Sequence, residues 1–163
     1  MLIYLKNKDM LIVDDFKFKC CIGKNNITKN KIEGDKCTPK GIYKLGTLYF
    51  RPDRCSIPNT KIKIKAIKRN MGWCDDPGSK NYNKQIIIDK NVKHEKLFRK
   101  DHKYDYFIVI EYNTGKIIRN KGSAIFIHLT SNYRPTAGCI ALKEKDFLIL
   151  IKIIEKKNRI NIN

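Results

Sequence analysis

The sequence predicts a mostly β domain that ends in one helix, with a β-sandwich or open barrel as its architecture. Two observations favour this class. Apolar and polar residues alternate in short stretches such as Phe16–Cys20, and apolar residues dominate others such as Tyr104–Tyr112, as expected for half-buried and buried strands. The segment Lys143–Lys157 carries apolar residues at helical spacing, which predicts a late helix.

The other elements follow from their local patterns. Lys61–Ile67 alternates cleanly and predicts a half-exposed antiparallel strand. Gly23–Gly41 is predicted to be a long polar loop with a functional role or high mobility, Gly72–Asn83 a second loop, and Glu95–Lys100 a short helix. The remaining predicted strands are Leu2–Leu5, Leu11–Val13, Phe16–Ile22, Ile42–Phe50, Gln85–Ile88, Ile125–Ile127, Ile140–Leu142 and a last one around Ile160 and Ile162.

Length and composition indicate one globular domain over residues 1–163. Hydrophobic residues make up 42% of the chain, enough for one sizeable core. The 35 Lys and Arg against 16 Asp and Glu give a formal net charge of +19, which predicts attraction to a polyanion such as nucleic acid, an anionic membrane or an acidic cell wall. The Lys residues are dispersed, which favours general lysine enrichment and predicts no nucleic-acid partner.

Neither a metal site nor a membrane segment is predicted. No Cys-x-x-Cys pair supports a zinc site, nothing points to an organic cofactor, and the cysteine spacing forms no compact disulfide framework that would define the compartment. The start of the chain lacks the apolar region and cleavage site of a signal peptide, and no apolar run could span a membrane. The six cysteines are Cys20, Cys21, Cys37, Cys55, Cys74 and Cys139.

The stretch Ser123–Leu142 contains the residues with catalytic potential. Ile125–Ile127 predicts a buried strand that ends at His128, and a polar loop then leads through Gly138 to Cys139. A thiol is a poor nucleophile near neutral pH because its ordinary pKa is about 8.5. A neighbouring imidazole can take its proton and later protonate a leaving amine. The alternative, from the residues alone, is a buried Cys that serves packing and a His that is only a satisfied polar group.

Several ordered motifs resemble those of the YkuD-type L,D-transpeptidases. His128 and the segment Thr136-Ala137-Gly138-Cys139-Ile140 are similar to the family's active-site signature, in the branch with the form Thr-x-Gly-Cys. Further stretches that look like family landmarks are Lys31–Tyr43, Tyr49–Arg54, Gly72–Pro77, Asn81–Asn83 and Tyr104-Asp105.

The resemblance implies a YkuD-like β-sandwich and a cysteine-dependent peptidoglycan L,D-transpeptidase. Cys139 would attack a stem-peptide carbonyl to form a thioester, and His128 would act first as base and then as acid. The N–H groups of Gly138 and Cys139 would stabilise the oxyanion, and the backbone carbonyl of Leu129 is the expected partner that orients the His128 ring. An amine acceptor would give a cross-link, whereas water would give an L,D-carboxypeptidase.

Five residues are candidates for substrate binding. Arg51 and Arg54 flank a Pro-Asp turn and rank above Arg134 for the acidic groups of the stem, with a structural salt bridge as the alternative role of the first two. Trp73 is expected either to line the substrate groove or to fill the core beneath a loop. Thr136, within the signature, completes the set.

Three positions depart from the family pattern. Many members carry His two residues before the Cys and Arg two residues after it, where this chain has Ala137 and Ala141, and many have Gly at the position of Leu129. The missing His is not the base, so the chemistry survives. The missing Arg removes a contact to an anionic substrate group and puts the choice of donor substrate in doubt.

The expected partners are peptidoglycan stem peptides, and the expected state is a monomer. The family implies the periplasm or cell envelope of a bacterium, while the absence of a signal peptide leaves a cytoplasmic enzyme open. A third functional alternative is a non-catalytic, basic cell-wall-binding domain, which the net charge of +19 suggests.

Overall fold

The computed structural model describes residues 2–163, in which short strands precede a single late helix. The elements are β1 Leu2–Lys6, β2 Met10–Val13, β3 Phe16–Cys21, β4 Ile27–Thr28, β5 Thr38–Pro39, β6 Gly41–Phe50, β7 Ile64–Ala66, β8 Met71–Cys74, β9 Gln85–Ile87, β10 His94–Lys96, β11 Tyr106–Ile110, β12 Phe126–Leu129, β13 Ile140–Leu142, α1 Glu144–Ile153 and β14 Arg159–Ile162.

The main sheet closes on itself as a barrel. Its strands follow the order β11-β12-β13-β3-β2-β1-β14-β6, and β6 also pairs with β11, which joins the two ends. The long strand β6 makes this closure possible because Gly41–Lys44 pairs with β14 while Leu45–Phe50 pairs with β11. The short β7 adds to β6 in parallel, so the prediction of an antiparallel strand at Lys61–Ile67 was wrong in direction and length.

Strand β11 serves two cores, because successive side chains on a strand point to opposite faces. Tyr106 and Ile108 belong to a core that also contains the buried face of α1, formed by Phe147 and its neighbours Leu150 and Ile151. Phe107, on the other face of β11, belongs to a second core of mainly aromatic residues.

A small sheet in the order β10-β8-β9 contributes to this second core. Trp73 on β8 packs edge-on against Tyr49 and Phe126 at ring-centroid distances of 6.4 and 5.0 Å. Two predictions were wrong here. Gly72–Cys74 lies in a strand and not in a loop, and the start of the predicted helix Glu95–Lys100 forms β10, because its backbone pairs with β8.

The polar segment between Gly23 and Gly41 is ordered by a short ladder of β4 with β5 and by contacts with the chain near Thr136. Gly23 forms a bridge with Thr136, and a Cβ atom at Gly23 would lie 2.4 Å from the Lys36 carbonyl oxygen. Only glycine therefore fits at this approach of two backbones. The segment consequently lies against the loop that precedes β13.

Among residues 2–163, no helix is long and apolar enough to cross a membrane.

Asn83 ties the small sheet to the barrel. Its Oδ1 accepts hydrogen bonds from Trp73 Nε1 at 2.9 Å and from the Ala124 N–H at 3.0 Å. Its Nδ2 donates to the carbonyl oxygens of Tyr112 and Asn113 at 3.0 and 2.8 Å. One buried amide thus satisfies four groups on three segments, and it fixes the backbone at Ala124, just before β12.

We expect Asn83→Gly to lower the free energy of unfolding by about 3 kcal/mol, because it leaves buried donors and acceptors without partners. Glycine tolerates the φ of +56° at this position, so the loss reports the hydrogen bonds. Urea unfolding measures it. The matched control is Asn120→Gly, at a similar φ of +63° on the exposed surface, with an expected change within about 0.5 kcal/mol. Equal losses in both variants would contradict the prediction.

Candidate active site

The parallel pairing of β12 with β13 brings His128 and Cys139 to one wall of a cavity. His128 lies opposite Ala141 in this ladder, and Cys139 precedes Ala141 by two residues, so all three side chains share a face. Adjacent strands lie about 4.8 Å apart, and Cys139 is displaced by two residues from the position opposite His128, so the two side chains lie diagonally across this strand pair. Both line a cavity of about 570 Å³.

Cys139 is held as a neutral thiol. The side chain is only 7% exposed, and its Sγ donates to the Ala124 carbonyl oxygen at 3.2 Å. The Phe126 N–H donates to the same sulfur at 3.4 Å. Burial, with a smaller contribution from the charge of Glu95, raises the pKa of this thiol to about 12.

His128 is held as a neutral imidazole in one tautomer. Its Nδ1 lies 2.8 Å from the Leu129 carbonyl oxygen, the contact expected from the family resemblance. Since a carbonyl oxygen can only accept, Nδ1 carries the proton and Nε2 keeps its lone pair. Burial lowers the pKa of His128 to about 4, which keeps the ring neutral near pH 7.

A tight turn presents the thiol. The Thr136 hydroxyl donates to the Cys139 carbonyl oxygen at 2.6 Å and accepts from the Gly138 N–H at 3.1 Å. Gly138 has a φ of +138°, and a Cβ atom there would lie 2.8 Å from the Cys37 carbonyl oxygen. Both facts require glycine immediately before the cysteine. The ordered segment around Cys37 thus forms the back of the turn.

Charged side chains of both signs line the rest of the cavity. Burial raises the pKa of the Asp75 and Glu95 carboxyl groups, and Asp75 Oδ1 is buried without a hydrogen-bond partner among the described residues. Because the lining contains charges of both signs, the cavity can bind a substrate that carries both carboxylate and ammonium groups. Its cations are Lys31, Lys36, Lys93, Arg99, Lys103 and Arg134, and its carboxylates are Glu33, Asp75 and Glu95.

Two of the five predicted substrate-binding residues, Thr136 and Arg134, line this cavity. Arg51 and Arg54 do not. Arg51 is 2% exposed, pairs with Asp53 at 2.8 Å and lies over the Phe98 ring. Its guanidinium is therefore occupied within the fold.

Arg54 and Trp73 also have partners within the fold. Arg54 pairs with Asp105 at 3.0 Å and binds the carbonyl oxygens of Lys100 and Asp101. Trp73 is buried in the second core, and its indole N–H bonds to Asn83. For both Arg residues and for Trp73, the placement favours the structural alternative over substrate binding.

Sequence reasoning missed most of the charged cavity wall. Glu95 and Arg99 were predicted to lie in a short helix without a functional role, and Lys103 carried no prediction. Tyr104 appeared only as part of a motif, yet its ring lies 5.4 Å from the His128 ring. No periodicity or spacing marks these residues, because segments distant in the chain bring them to the cavity.

The profile of the L,D-transpeptidase catalytic domain, named YkuD, matches residues 1–162. The chain belongs to this family. The match confirms the family predicted from the motifs, and the barrel with its one C-terminal helix confirms the predicted fold class. The family acts on peptidoglycan.

Two solved structures are similar to this YkuD domain. One is the helical cell shape determining protein Pgp2 from Campylobacter jejuni, with 20% identity, a TM-score of 0.53, and coverage of 99% of this chain and 46% of Pgp2. A single-residue variant of Pgp2 matches at 20% identity and a TM-score of 0.52 with the same coverage. At this identity the likeness shows the fold alone, and the chain spans less than half of Pgp2. No curated protein matches at a significant level.

We expect alkylation of Cys139 by iodoacetamide to accelerate steadily between about pH 6 and 10, without a plateau. The thiolate fraction grows with pH below a thiol pKa of about 12, and a His128 with a pKa of about 4 supplies no compensating charge in this range. Peptide-level mass spectrometry measures the rate. In the urea-unfolded protein the thiol regains its ordinary pKa of about 8.5, so the rate should level off above about that pH. A plateau beginning below pH 7 in the folded protein would indicate a thiolate–imidazolium pair instead.

We expect Thr136→Val to lower the free energy of unfolding by about 2 kcal/mol, because the Gly138 N–H and the Cys139 carbonyl both lose their partner. Thr136→Ser keeps the hydroxyl and should cost about 0.5 kcal/mol. Urea unfolding of both variants tests this. Equal stability of the two variants would show that the hydroxyl does not hold the turn.

Proposed function

We propose that this YkuD domain is a cysteine-dependent L,D-transpeptidase that cross-links peptidoglycan stem peptides through a thioester acyl-enzyme at the cell envelope. The observation that carries the proposal is the shared cavity wall formed by Cys139 and His128. The bond from Nδ1 to Leu129 supports it, because it leaves Nε2 as the basic atom of the ring.

In the acylation step, Cys139 Sγ attacks the carbonyl carbon of a diamino-acid residue that is linked to a terminal D-amino acid. His128 Nε2 takes the thiol proton while the S–C bond forms, since both groups are neutral in the resting enzyme. The C–N bond of the tetrahedral intermediate then breaks. The imidazolium returns the proton to the departing amine, which leaves a thioester and a neutral His128.

The oxyanion is proposed to bind the N–H groups of Cys139 and Gly138, with about 3 kcal/mol of stabilisation per donor. In the structure the Gly138 N–H donates to the Thr136 hydroxyl at a relatively long 3.1 Å. The developing oxyanion is a stronger acceptor than a neutral hydroxyl and can compete for this N–H. Thr136 thus takes the role of aligning the donor before substrate binds.

Carboxylates of the stem peptide are proposed to bind the cationic side of the cavity. Arg134 retains its predicted role, and Lys103 joins it as a cavity-lining cation. Ala141 provides no charge where many family members have Arg, so these side chains, from other segments, supply the positive charge. The net charge of +19 further favours association with an acidic wall polymer.

The acceptor decides the final product. A stem-peptide amine that attacks the thioester forms a cross-link and regenerates the thiol, while water releases a trimmed stem and makes the enzyme an L,D-carboxypeptidase. Both outcomes use the same acyl-enzyme and the same His128 as base and acid. Only product analysis separates them.

We expect purified muropeptides to be converted to dimers, detected by liquid chromatography and mass spectrometry. Cys139→Ala should abolish turnover, and His128→Gln should lower it at least about a hundredfold. Cys55→Ala is the matched control, because Cys55 is partly buried and lies outside the cavity. A mass increase on Cys139 under single-turnover conditions would identify the thioester.

Three other outcomes of this experiment would contradict the proposal. Trimmed monomers would identify a carboxypeptidase in place of the transpeptidase. Binding to sacculi without any product would indicate a wall-binding domain. Turnover that persists in Cys139→Ala would show that the nucleophile is another residue.

A further inference from the structure

Tyr104 connects the candidate base to the small sheet. Its side chain is buried, and its ring packs edge-on against His128 at 5.4 Å with an interplanar angle of 71°. Phe107 and Phe126 also contact the Tyr104 ring, at centroid distances of 5.1 and 5.8 Å. The Tyr104 ring therefore limits the movement of the imidazole.

Glu95 fixes the other end of Tyr104. The Tyr104 hydroxyl donates to Glu95 Oε1 at 2.5 Å, and Glu95 lies on β10, opposite Trp73 in the ladder with β8. The guanidinium of Arg99 lies 5.2 Å from the Tyr104 ring centroid and 3.9 Å from Glu95. Two bonds of 2.9 and 2.6 Å commit this guanidinium to Asp101, so it compensates the Glu95 charge only in part.

We propose that Tyr104 holds the His128 imidazole in its catalytic orientation, and that Glu95 anchors this contact to the small sheet by binding the Tyr104 hydroxyl. Both are positioning residues, because they act through His128 rather than on substrate. This inference rests on the proposed function only in naming His128 as the catalytic base. The contacts themselves do not depend on it.

The Glu95 carboxylate has a second effect in the same cavity. Its charge adds to burial in raising the pKa of the Cys139 thiol, whereas Lys31 acts in the opposite direction. Burial raises the pKa of Glu95 itself, with smaller contributions from Asp75 and Glu33, while the Tyr104 hydroxyl and Arg99 lower it. Burial lowers the pKa of His128, with smaller contributions from Lys103 and Arg99, while the hydrogen bond to Leu129 and the charge of Asp101 raise it. Glu95 is thus one of the charges that keep the Cys139 thiol neutral.

Two substitutions separate the hydrogen bond from the charge. Tyr104→Phe removes the hydroxyl, keeps the ring and leaves the carboxylate charged. Glu95→Gln removes the charge, while its amide oxygen can still accept the Tyr104 hydroxyl. We expect Tyr104→Phe to lower kcat for muropeptides about tenfold with an unchanged KM, because the base is less well oriented.

We expect Glu95→Gln to raise the rate of Cys139 alkylation about fivefold near pH 7.5 and to shift its pH profile to lower pH. Tyr104→Phe should shift this profile less than Glu95→Gln does, since it removes no charged group. Asp15→Asn, at an exposed turn, is the control for a change of net charge and should behave as wild type. A purely structural role of Glu95 would give the same profile in Glu95→Gln and wild type, which would overturn its electrostatic part.

A spectroscopic readout keeps the positioning role testable without turnover. The His128 Nδ1–H bound to Leu129 should give a slowly exchanging NMR signal in wild type and in Tyr104→Phe. Tyr104→Leu, which removes the ring, should lose it. Retention of the signal in Tyr104→Leu, or wild-type kcat in Tyr104→Phe, would overturn the proposal. Absence of product from wild type with these signals intact would instead refute only the transpeptidase function.

Discussion

The parallel pairing of β12 with β13 is the constraint on which the site depends. Because side chains alternate along a strand, a slip of one residue in either strand would turn His128 or Cys139 away from the cavity. The pairing is held from both sides, by β11 next to β12 and by β3 next to β13. Closure of the barrel then leaves this part of the sheet no free edge along which to slip.

Between the barrel and the small sheet, the site is buried enough for the protein environment to decide its protonation. Burial acts on the two groups in opposite directions, raising the pKa of the Cys139 thiol and lowering that of His128, so both rest in their neutral forms. A neutral pair avoids the cost of two charges in a poorly solvated place. The same burial gives the charged groups around the cavity their strength, because nearby charges are screened less than at the surface.

The charge distribution at the cavity differs from the net charge of the chain. A net charge of +19 predicts only general attraction to anions, yet the cavity wall also carries three carboxylates, Glu33, Asp75 and Glu95, next to its cations. Glu33 is held there by hydrogen bonds from the side chains of Tyr82 and Ser123. The acidic groups are thus built into the fold, in contrast to the dispersed surface lysines.

The sequence by itself determined the family, the β-rich class and the position of the helix, because local periodicity and ordered motifs are properties of short segments. It also predicted Cys139 and His128 as the candidate catalytic pair. Only the tertiary structure decided which charged residues reach the cavity. Arg51 pairs with Asp53, and the indole N–H of Trp73 binds the Asn83 side chain, so both groups are satisfied within the fold. Glu95, by contrast, reaches the cavity from a segment without a distinctive pattern. The partners of a side chain depend on strand pairing between distant segments, which spacing along the chain does not contain.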